Sequence, residues 1–346
     1  MRDFIITNSI ETELATIERS LAVDKVFVLV DDNTAKYCLS RLDLSKFNPT
    51  VLKISVGDEQ KSIETAIHLW DQLVEKGATR SSLLVNIGGG VVTDLGGFVA
   101  ATFKRGIPFV NVPTTLLGVV DAATGGKTGI NFCGLKNEIG VFEKPNKVLI
   151  DPTFFETLDF KNRLSGYAEM LKHALIADPI LLEQTLLYDL DSFDKKRLSV
   201  LLKQNLEIKQ NIVDIDPNET GKRKALNLGH TIGHALESLS YKEDTPMVHG
   251  FAIMWGIVVE LYLSYIKFNF DKSHLIRVLT FTKEYYGAFP FSCNHYEQLY
   301  DLMLHDKKNS ASKINFTLLA GIGDVRINQN FTKEEIFEAL DFVREN

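Results

Sequence analysis

The sequence predicts an α/β N-terminal domain, built on a mostly parallel, Rossmann-like sheet, followed by a mainly α-helical C-terminal domain. Three observations predict it. Short apolar runs alternate with amphipathic stretches up to about residue 150. Long segments of helical period take over after Asp151-Pro152. Between them in character, Gly88, Gly89 and Gly90 join an apolar run to an apolar helix. Strand and helix in alternation imply a parallel sheet covered on both faces. The boundary therefore falls after residue 152, giving an α/β domain of 1–152 and a helical domain of 153–346.

In chain order, VFVLV at 26–30, VLKISV at 51–56, SLLVNI at 82–87, FVNV at 109–112 and KVLI at 147–150 read as strands. IETAIHLWDQLVEKG has helical period and closes on Gly77, where a helix C-terminus favours glycine. Beyond Pro152, RLSGYAEMLKHALIAD, LSVLLKQNLEIKQNIVDI and GFAIMWGIVVELYLSYIKF are helical, INFTLLAGIGDVRI is a β pair, and KEEIFEALDFVRE is a last helix.

Composition narrows the class of function. Apolar residues make up 45% of the 346 and charged residues 24%, enough apolar material for sizeable cores. A net charge of -7 argues against nucleic acid or an anionic membrane as partner, because both need a positive surface field. No long apolar stretch lacks charges or glycines, so no membrane span is expected. The first residues alternate polar and apolar too quickly for a signal peptide. Cys38, Cys133 and Cys293 lie far apart with no CxxC pair, which fits reduced thiols in a cytoplasm.

Glycines directly after a strand let backbone approach a phosphate, and the following helix N-terminus offers free N–H groups and a positive dipole end. NIGGGVVTDLGGF has that build, with Asp94 expected in the first helical turn. VPTTLLGVVDAATGGKTGINFCGLKNEIG is denser in chemistry. Thr114 and Thr115 follow a strand end, Asp121 sits in a helix-like run, and Lys127, Lys136 and Asn137 stand among glycines and apolar residues. A phosphate or carboxylate partner is the economical account of those two lysines.

LNLGHTIGHALES places His230 and His234 at i and i+4 on one helical face. The spacing suits zinc, but Thr-Ile-Gly between them removes the glutamate base of an HExxH protease. Glu169, with Lys172 and His173 on the same side, and His249 before Gly250 are further donors. Three protein ligands with an open position make a catalytic zinc site. Glu169, His230 and His249 would supply them from three helices, although His234 and His173 are equally good donors by spacing.

GGGVVTDLGGFVAATFKRGIPFVNVPTTLL, GGKTGIN with LKN, SGYAEMLKH, LNLGHTIGHALE, VHG and HDKKN, in this order, resemble the 3-dehydroquinate synthases of the sugar-phosphate cyclase family. Six segments at consistent intervals across about 55–320 make the resemblance specific. It implies that Glu169, His230 and His249 bind a divalent metal, zinc or cobalt, leaving His234 to touch substrate or handle protons. It implies NAD contacts at Asp32, Lys61, Gly89, Gly90, Asp94, Thr114, Thr115, Lys136 and Thr157, with Asp58 where the family usually has Glu. For substrate it implies Arg105, Asp121, Lys127, Lys136, Asn137, Lys172, Lys209, Arg223, Asn227, His234 and, from DKK, Lys307. An acidic chain would thus gather its cations for a ligand bearing both phosphate and carboxylate. The chain departs from the family pattern at VDAATGG, at CGLKN, and at Phe251, a place often held by glutamate.

What the resemblance implies for activity is a lyase of the shikimate pathway of aromatic amino-acid biosynthesis, acting as a cytoplasmic homodimer. It converts 3-deoxy-D-arabino-heptulosonate 7-phosphate to 3-dehydroquinate and phosphate by NAD-mediated oxidation, elimination, reduction and aldol closure. Two rivals are a cyclase for sedoheptulose 7-phosphate, which has no carboxylate for Lys209, Arg223 and Asn227, and a metal-dependent polyol dehydrogenase, which would release NADH.

Overall fold

The apolar runs that read as strands collect into one sheet. The computed structural model describes residues 3–133, 135–304 and 313–346. The chain divides into two units, Met1–Asp159 and Phe160–Asn346.

In the first unit β1 (Phe4–Ile6) leads to α1 (Ile10–Leu21), β2 (Val26–Asp31) to α2 (Asp32–Tyr37), and β3 (Thr50–Ile54) to α3 (Ile63–Glu75). Then come β4 (Leu83–Gly88), α4 (Gly90–Thr102), β5 (Phe109–Pro113), the hairpin β6 (Lys127–Phe132) and β7 (Leu135–Phe142), and β8 (Lys147–Ile150). Six strands lie in the order β1-β8-β5-β4-β2-β3, and every pairing is parallel. Central strands of such a sheet are covered on both faces, which is why β2 is apolar from Val26 to Val30 and β4 is apolar but for Asn86, whose amide donates to Asn111 Oδ1 at 2.9 Å. One face packs Phe27, Leu29 and Leu84 on Leu69, Leu95 and Phe98. The other packs Val28, Val85 and Val110 on Ile10, Leu14 and Phe154. From β2 the chain runs outward to β3, then returns to β4 on the other side of β2. That reversal is a topological switch point, and open α/β sheets bind ligands outside the carboxyl ends of strands at such a point.

Two local features differ from expectation. The segment carrying Lys127, Lys136 and Asn137 is an antiparallel hairpin, in which Gly129 pairs with Gly140 and neither adds a side chain. All of β7 is exposed, so no apolar alternation marks it. The helix-like run around Asp121 is a single π-turn, Gly118–Ala122, closed by Ala123 N–H donating to the Gly118 carbonyl at 2.8 Å.

The second unit holds α5 (Phe160–Ala177), α6 (Pro179–Leu186), α7 (Lys195–Ile215), α8 (His230–Lys242), α9 (His249–Phe268), α10 (Lys272–Tyr286) and α11 (Tyr296–Leu304). A hairpin of β9 (Phe316–Gly321) and β10 (Asp324–Gln329), then α12 (Lys333–Glu345), close it. Helix α9 is its axis, touching α5, α8, α10, α12 and β9. A helix apolar on all sides belongs in a core. By length and composition α9 could cross a bilayer, but 67% of that stretch is buried inside the structure, as suits a core helix.

Candidate metal centre

Glu169 stands in the middle of α5, while His230 and His249 are the first residues of α8 and α9. Their convergence follows from two close backbone approaches. A Cβ on Gly250 would lie 2.1 Å from the Ser165 carbonyl oxygen, so glycine lets the first turn of α9 rest on α5 one turn before Glu169. Gly250 N–H also donates to Ser165 Oγ at 3.1 Å. Gly229, at φ +80°, makes the left-handed turn into α8, and a Cβ there would meet Ile257 Cγ1 at 2.5 Å.

The result is one carboxylate and two imidazoles whose donor atoms all lie within 4.8 Å of one another. Nε2 of His230 and Nε2 of His249 are each 3.7 Å from Glu169 Oε1. Donors held at 2.0–2.2 Å around a tetrahedral ion sit roughly 3.4 Å apart, so a slight contraction would close the set on zinc or cobalt. Both rings offer the same nitrogen, because Nδ1 of each is engaged elsewhere. His230 Nδ1 is 3.1 Å from the Leu228 carbonyl oxygen, and His249 Nδ1 is 3.1 Å from Glu237 Oε2. Burial pushes the His249 pKa down, but the Glu169 and Glu237 carboxylates beside it more than reverse that and hold it at about 10. Glu169 also pairs with Lys172, and both are fully buried.

His234 is a neighbour: its ring centroid lies 5.2 Å from that of His230 and 6.2 Å from that of His249. His173, the other donor left open by spacing, is buried outside the three-residue group. Lys209 and Arg223 are buried in the same unit, and Asn227 is half-buried, donating to Glu219 Oε1 at 2.9 Å. The loop bearing Arg223 is organised by Asp216. Its carboxylate accepts backbone N–H groups of Thr220, Gly221 and Arg223 at 3.0, 2.7 and 3.0 Å. Burial works against that charge, but these bonds outweigh it and hold the Asp216 pKa at about 2.

A model of the family described as 3-dehydroquinate synthase N-terminal matches residues 51–165, and one described as 3-dehydroquinate synthase C-terminal matches 166–309. The chain is 50% identical over 344 residues to 3-dehydroquinate synthase of Parabacteroides distasonis, covering 99% of this chain and 98% of that protein. This chain belongs to the 3-dehydroquinate synthase family. Two solved structures share the fold. One is 2-deoxy-scyllo-inosose synthase complexed with carbaglucose-6-phosphate, NAD+ and Co2+, at a TM-score of 0.83 and 22% identity, covering 99% of this chain and 96% of that one. The other is 2-epi-5-epi-valiolone synthase of Streptomyces hygroscopicus with NAD+ and Zn2+ bound, at 0.83 and 24%, covering 100% and 97%.

The positions expected to contact NAD lie in the first unit, with Asp32, Gly89, Gly90, Thr114 and Thr115 just past the carboxyl ends of β2, β4 and β5. Gly89 caps α4 with no side-chain hydrogen bond, so the first N–H groups of the helix face outward at the end of β4. Thr114 N–H donates to the Gly88 carbonyl at 3.0 Å and Thr115 Oγ1 accepts from Gly118 N–H at 3.0 Å, which knits the two strand-end turns together. Asp32 opens α2 at the end of β2, exposed and 2.7 Å from Lys53 Nζ. Asp94 does not lie in the first helical turn, as expected, but a turn further on, because α4 already begins at Gly90. There its carboxylate is 2.5 Å from the buried Lys61 ammonium, which also donates to Asn137 Oδ1. Asp58 lies 3.9 Å from Lys136. Arg105, Lys127, Lys136 and Thr157 are exposed and Asp121 is half-buried. Lys307, with the rest of HDKKN, and Gly134 of CGLKN lie outside the described residues.

Sequence reasoning missed Glu237, Glu260, Asp216 and Glu219. Glu237 left one faint trace, since it stands seven residues after His230 and so shares its helical face.

Proposed function

We propose that this chain catalyses the 3-dehydroquinate synthase reaction, turning 3-deoxy-D-arabino-heptulosonate 7-phosphate into 3-dehydroquinate and phosphate with NAD and a divalent metal. The observation that carries the proposal is the Glu169–His230–His249 set in a chain 50% identical to a named 3-dehydroquinate synthase. The rival cyclases stand at 22% and 24%, which favours the heptulosonate over their substrates.

Glu169, His230 and His249 would hold the ion, and the uncapped start of α4 with Gly89, Gly90, Thr114 and Thr115 fits a nucleotide pyrophosphate. Asp32, Asp58, Lys61, Asp94, Lys136 and Thr157 complete the NAD positions. When bound, NAD supplies a reversible hydride acceptor and the ion lowers the pKa of the hydroxyl to be oxidised. The chain's own residues do the rest. Lys127, Arg105, Asn137 and Lys172 would take the substrate phosphate. Lys209, Arg223 and Asn227 would take its carboxylate end, and Asp121, His234 and Lys307 complete the expected substrate contacts. The buried state of Lys209 and Arg223 suits this, because a desolvated cation binds a carboxylate more strongly than an exposed one. His234, whose ring lies beside those of His230 and His249, would move a proton.

The enzyme works in this reading as a cytoplasmic homodimer of the shikimate pathway. Three unpaired cysteines suit a reducing compartment. The exposed Phe132, Leu135, Ile139, Val141 and Phe142 of the β6–β7 hairpin suit burial against a second copy.

The test is to incubate metal-loaded protein with catalytic NAD and the heptulosonate phosphate, measuring phosphate, carbocycle and NADH together. Stoichiometric phosphate and carbocycle without net NADH is the expected result. NADH accumulating with no phosphate would establish a dehydrogenase instead, and turnover of sedoheptulose 7-phosphate alone would establish the rival cyclase.

A further inference from the structure

Two buried carboxylates beside the metal centre take no part in the chemistry assigned so far. Glu237, on α8, meets the Nδ1 of His249, which belongs to α9. Glu260, on α9 and fully buried, accepts the backbone N–H of Gly229 at 2.6 Å, just ahead of His230 on α8. Each helix therefore sends a carboxylate to the root of the other helix's imidazole.

The two contacts act at different distances from the ring. Glu237 grips the imidazole itself, so it sets both the tilt of the ring and the identity of the nitrogen that remains to bind a cation. Glu260 acts one step back. Gly229 is the left-handed residue between Leu228, whose carbonyl faces His230 Nδ1, and His230 itself. Fixing the Gly229 N–H fixes the plane of the Leu228–Gly229 peptide, and with it the carbonyl that selects the His230 tautomer. A buried carboxylate is costly to keep unless its hydrogen bonds repay the lost hydration, so a structure that retains two beside one centre is using their orientation.

We propose that Glu237 and Glu260 are reciprocal positioning residues, each helix of the α8–α9 pair holding the other's imidazole with Nε2 turned to the metal. The inference rests on the reading that Glu169, His230 and His249 bind a divalent ion. It assigns neither carboxylate to the ion or to the substrate.

The test uses the full chain loaded with Co2+. The dissociation constant is measured by chelator competition, and the visible absorption of the cobalt ion reports the geometry of its ligands without any turnover. Glu237→Ala is expected to weaken the metal by roughly 10- to 100-fold and to change the cobalt spectrum. Glu237→Gln, which keeps an acceptor oxygen for Nδ1–H, is expected to restore the spectrum in large part. Glu260→Met is expected to act in the same direction and Glu260→Gln to restore most of the loss, with circular dichroism of the metal-free proteins checking that each folds. Should Glu260→Met not fold, Glu260→Asp, which keeps the charge but draws the carboxylate back from the Gly229 N–H, carries that arm, a shifted spectrum supporting the proposal and an unchanged constant and spectrum opposing it. Folded Glu237→Ala and Glu260→Met proteins with wild-type constants and spectra would overturn the proposal. So would Glu260 variants that lose thermal stability but keep the cobalt spectrum, since that is a purely structural role. The underlying reading fails separately: wild type and Glu169→Ala would then bind cobalt equally poorly.

Discussion

The proposed nucleotide end of the first unit and the candidate metal centre of the second handle charge in opposite ways. In the first, the turn after β4 offers backbone N–H groups, and the ion pairs Lys53–Asp32 and Lys136–Asp58 are exposed to solvent. In the second, Glu169, Lys172, Lys209 and Arg223 are all buried. Exposed pairs contribute little to stability, whereas breaking a buried pair leaves an uncompensated charge. The second unit therefore ties folding to chemistry, and the first keeps them apart. Lys61–Asp94 is the exception that shows the rule is local, since that lysine is buried in the first unit.

The sharpest break of this contrast is Glu169→Ala. Activity should fall on the order of 10³-fold or more, as the carboxylate ligand is lost. Chemical denaturation of the metal-free protein should show a loss of about 3–5 kcal/mol, because Lys172 is left buried without its partner. Lys53→Ala, the exposed counterpart, should stay within about 0.5 kcal/mol of wild type. Equal stability losses in the two variants would remove the distinction between the units.

The next effect is on metal affinity and pH. The His249 pKa of about 10 lies above the ordinary value of 6.5. In metal-free protein its protonation therefore adds stability in full below pH 6.5, and that contribution is lost as the pH rises through about 10. A metal takes the nitrogen that faces Glu169 and must expel a proton to do so. Apparent affinity should accordingly rise up to about tenfold per pH unit, roughly 100-fold from pH 7 to 9. Titration calorimetry in buffers of different ionisation enthalpy should count about one proton released per metal at pH 8, and a pH-independent affinity would contradict the coupling.

In the first unit Lys127→Ala should raise KM for the phosphorylated substrate by about 10- to 100-fold, the worth of one hydrogen bond to a charged group. The NAD dissociation constant and the unfolding midpoint should both stay put. A parallel loss of NAD binding would remove Lys127 from phosphate handling.

These contrasts also explain what could be read from the sequence. β2 and β4 stand out because a strand covered on both faces must be mostly apolar, and the one polar side chain within β4, Asn86, is satisfied by Asn111. β6 and β7 carry glycines, and the apolar side chains of β7 are exposed among polar ones, so no buried face gives the hairpin a readable period. His230 and His249 were visible as donors, but the choice between them and His234 or His173 is made by Gly250 against Ser165 and Gly229 against Ile257, contacts between residues far apart in sequence. Glu237 and Glu260 look like ordinary helical glutamates until α8 and α9 are packed together. The departures at VDAATGG and CGLKN fall on the π-turn and the hairpin, where backbone geometry departs most from the local pattern.

The smallest effect expected is at Asp216, and it tests whether a polar loop in the helical unit follows the same coupling of folding to chemistry. Its folded pKa, about 2, lies below the ordinary 3.8, so its charge adds stability that is present above pH 3.8 and lost as the pH falls through about 2. Asn at this position keeps one acceptor oxygen but not the charge. Asp216→Asn should therefore melt below wild type at pH 6, and the gap should close progressively as the pH is lowered through that window. The same variant should raise KM for the carboxylate-bearing substrate modestly, because Arg223 hangs on the loop that Asp216 gathers. A melting gap that persists unchanged at pH 2 would mean that the lost contacts, and not the charge, were what the loop required.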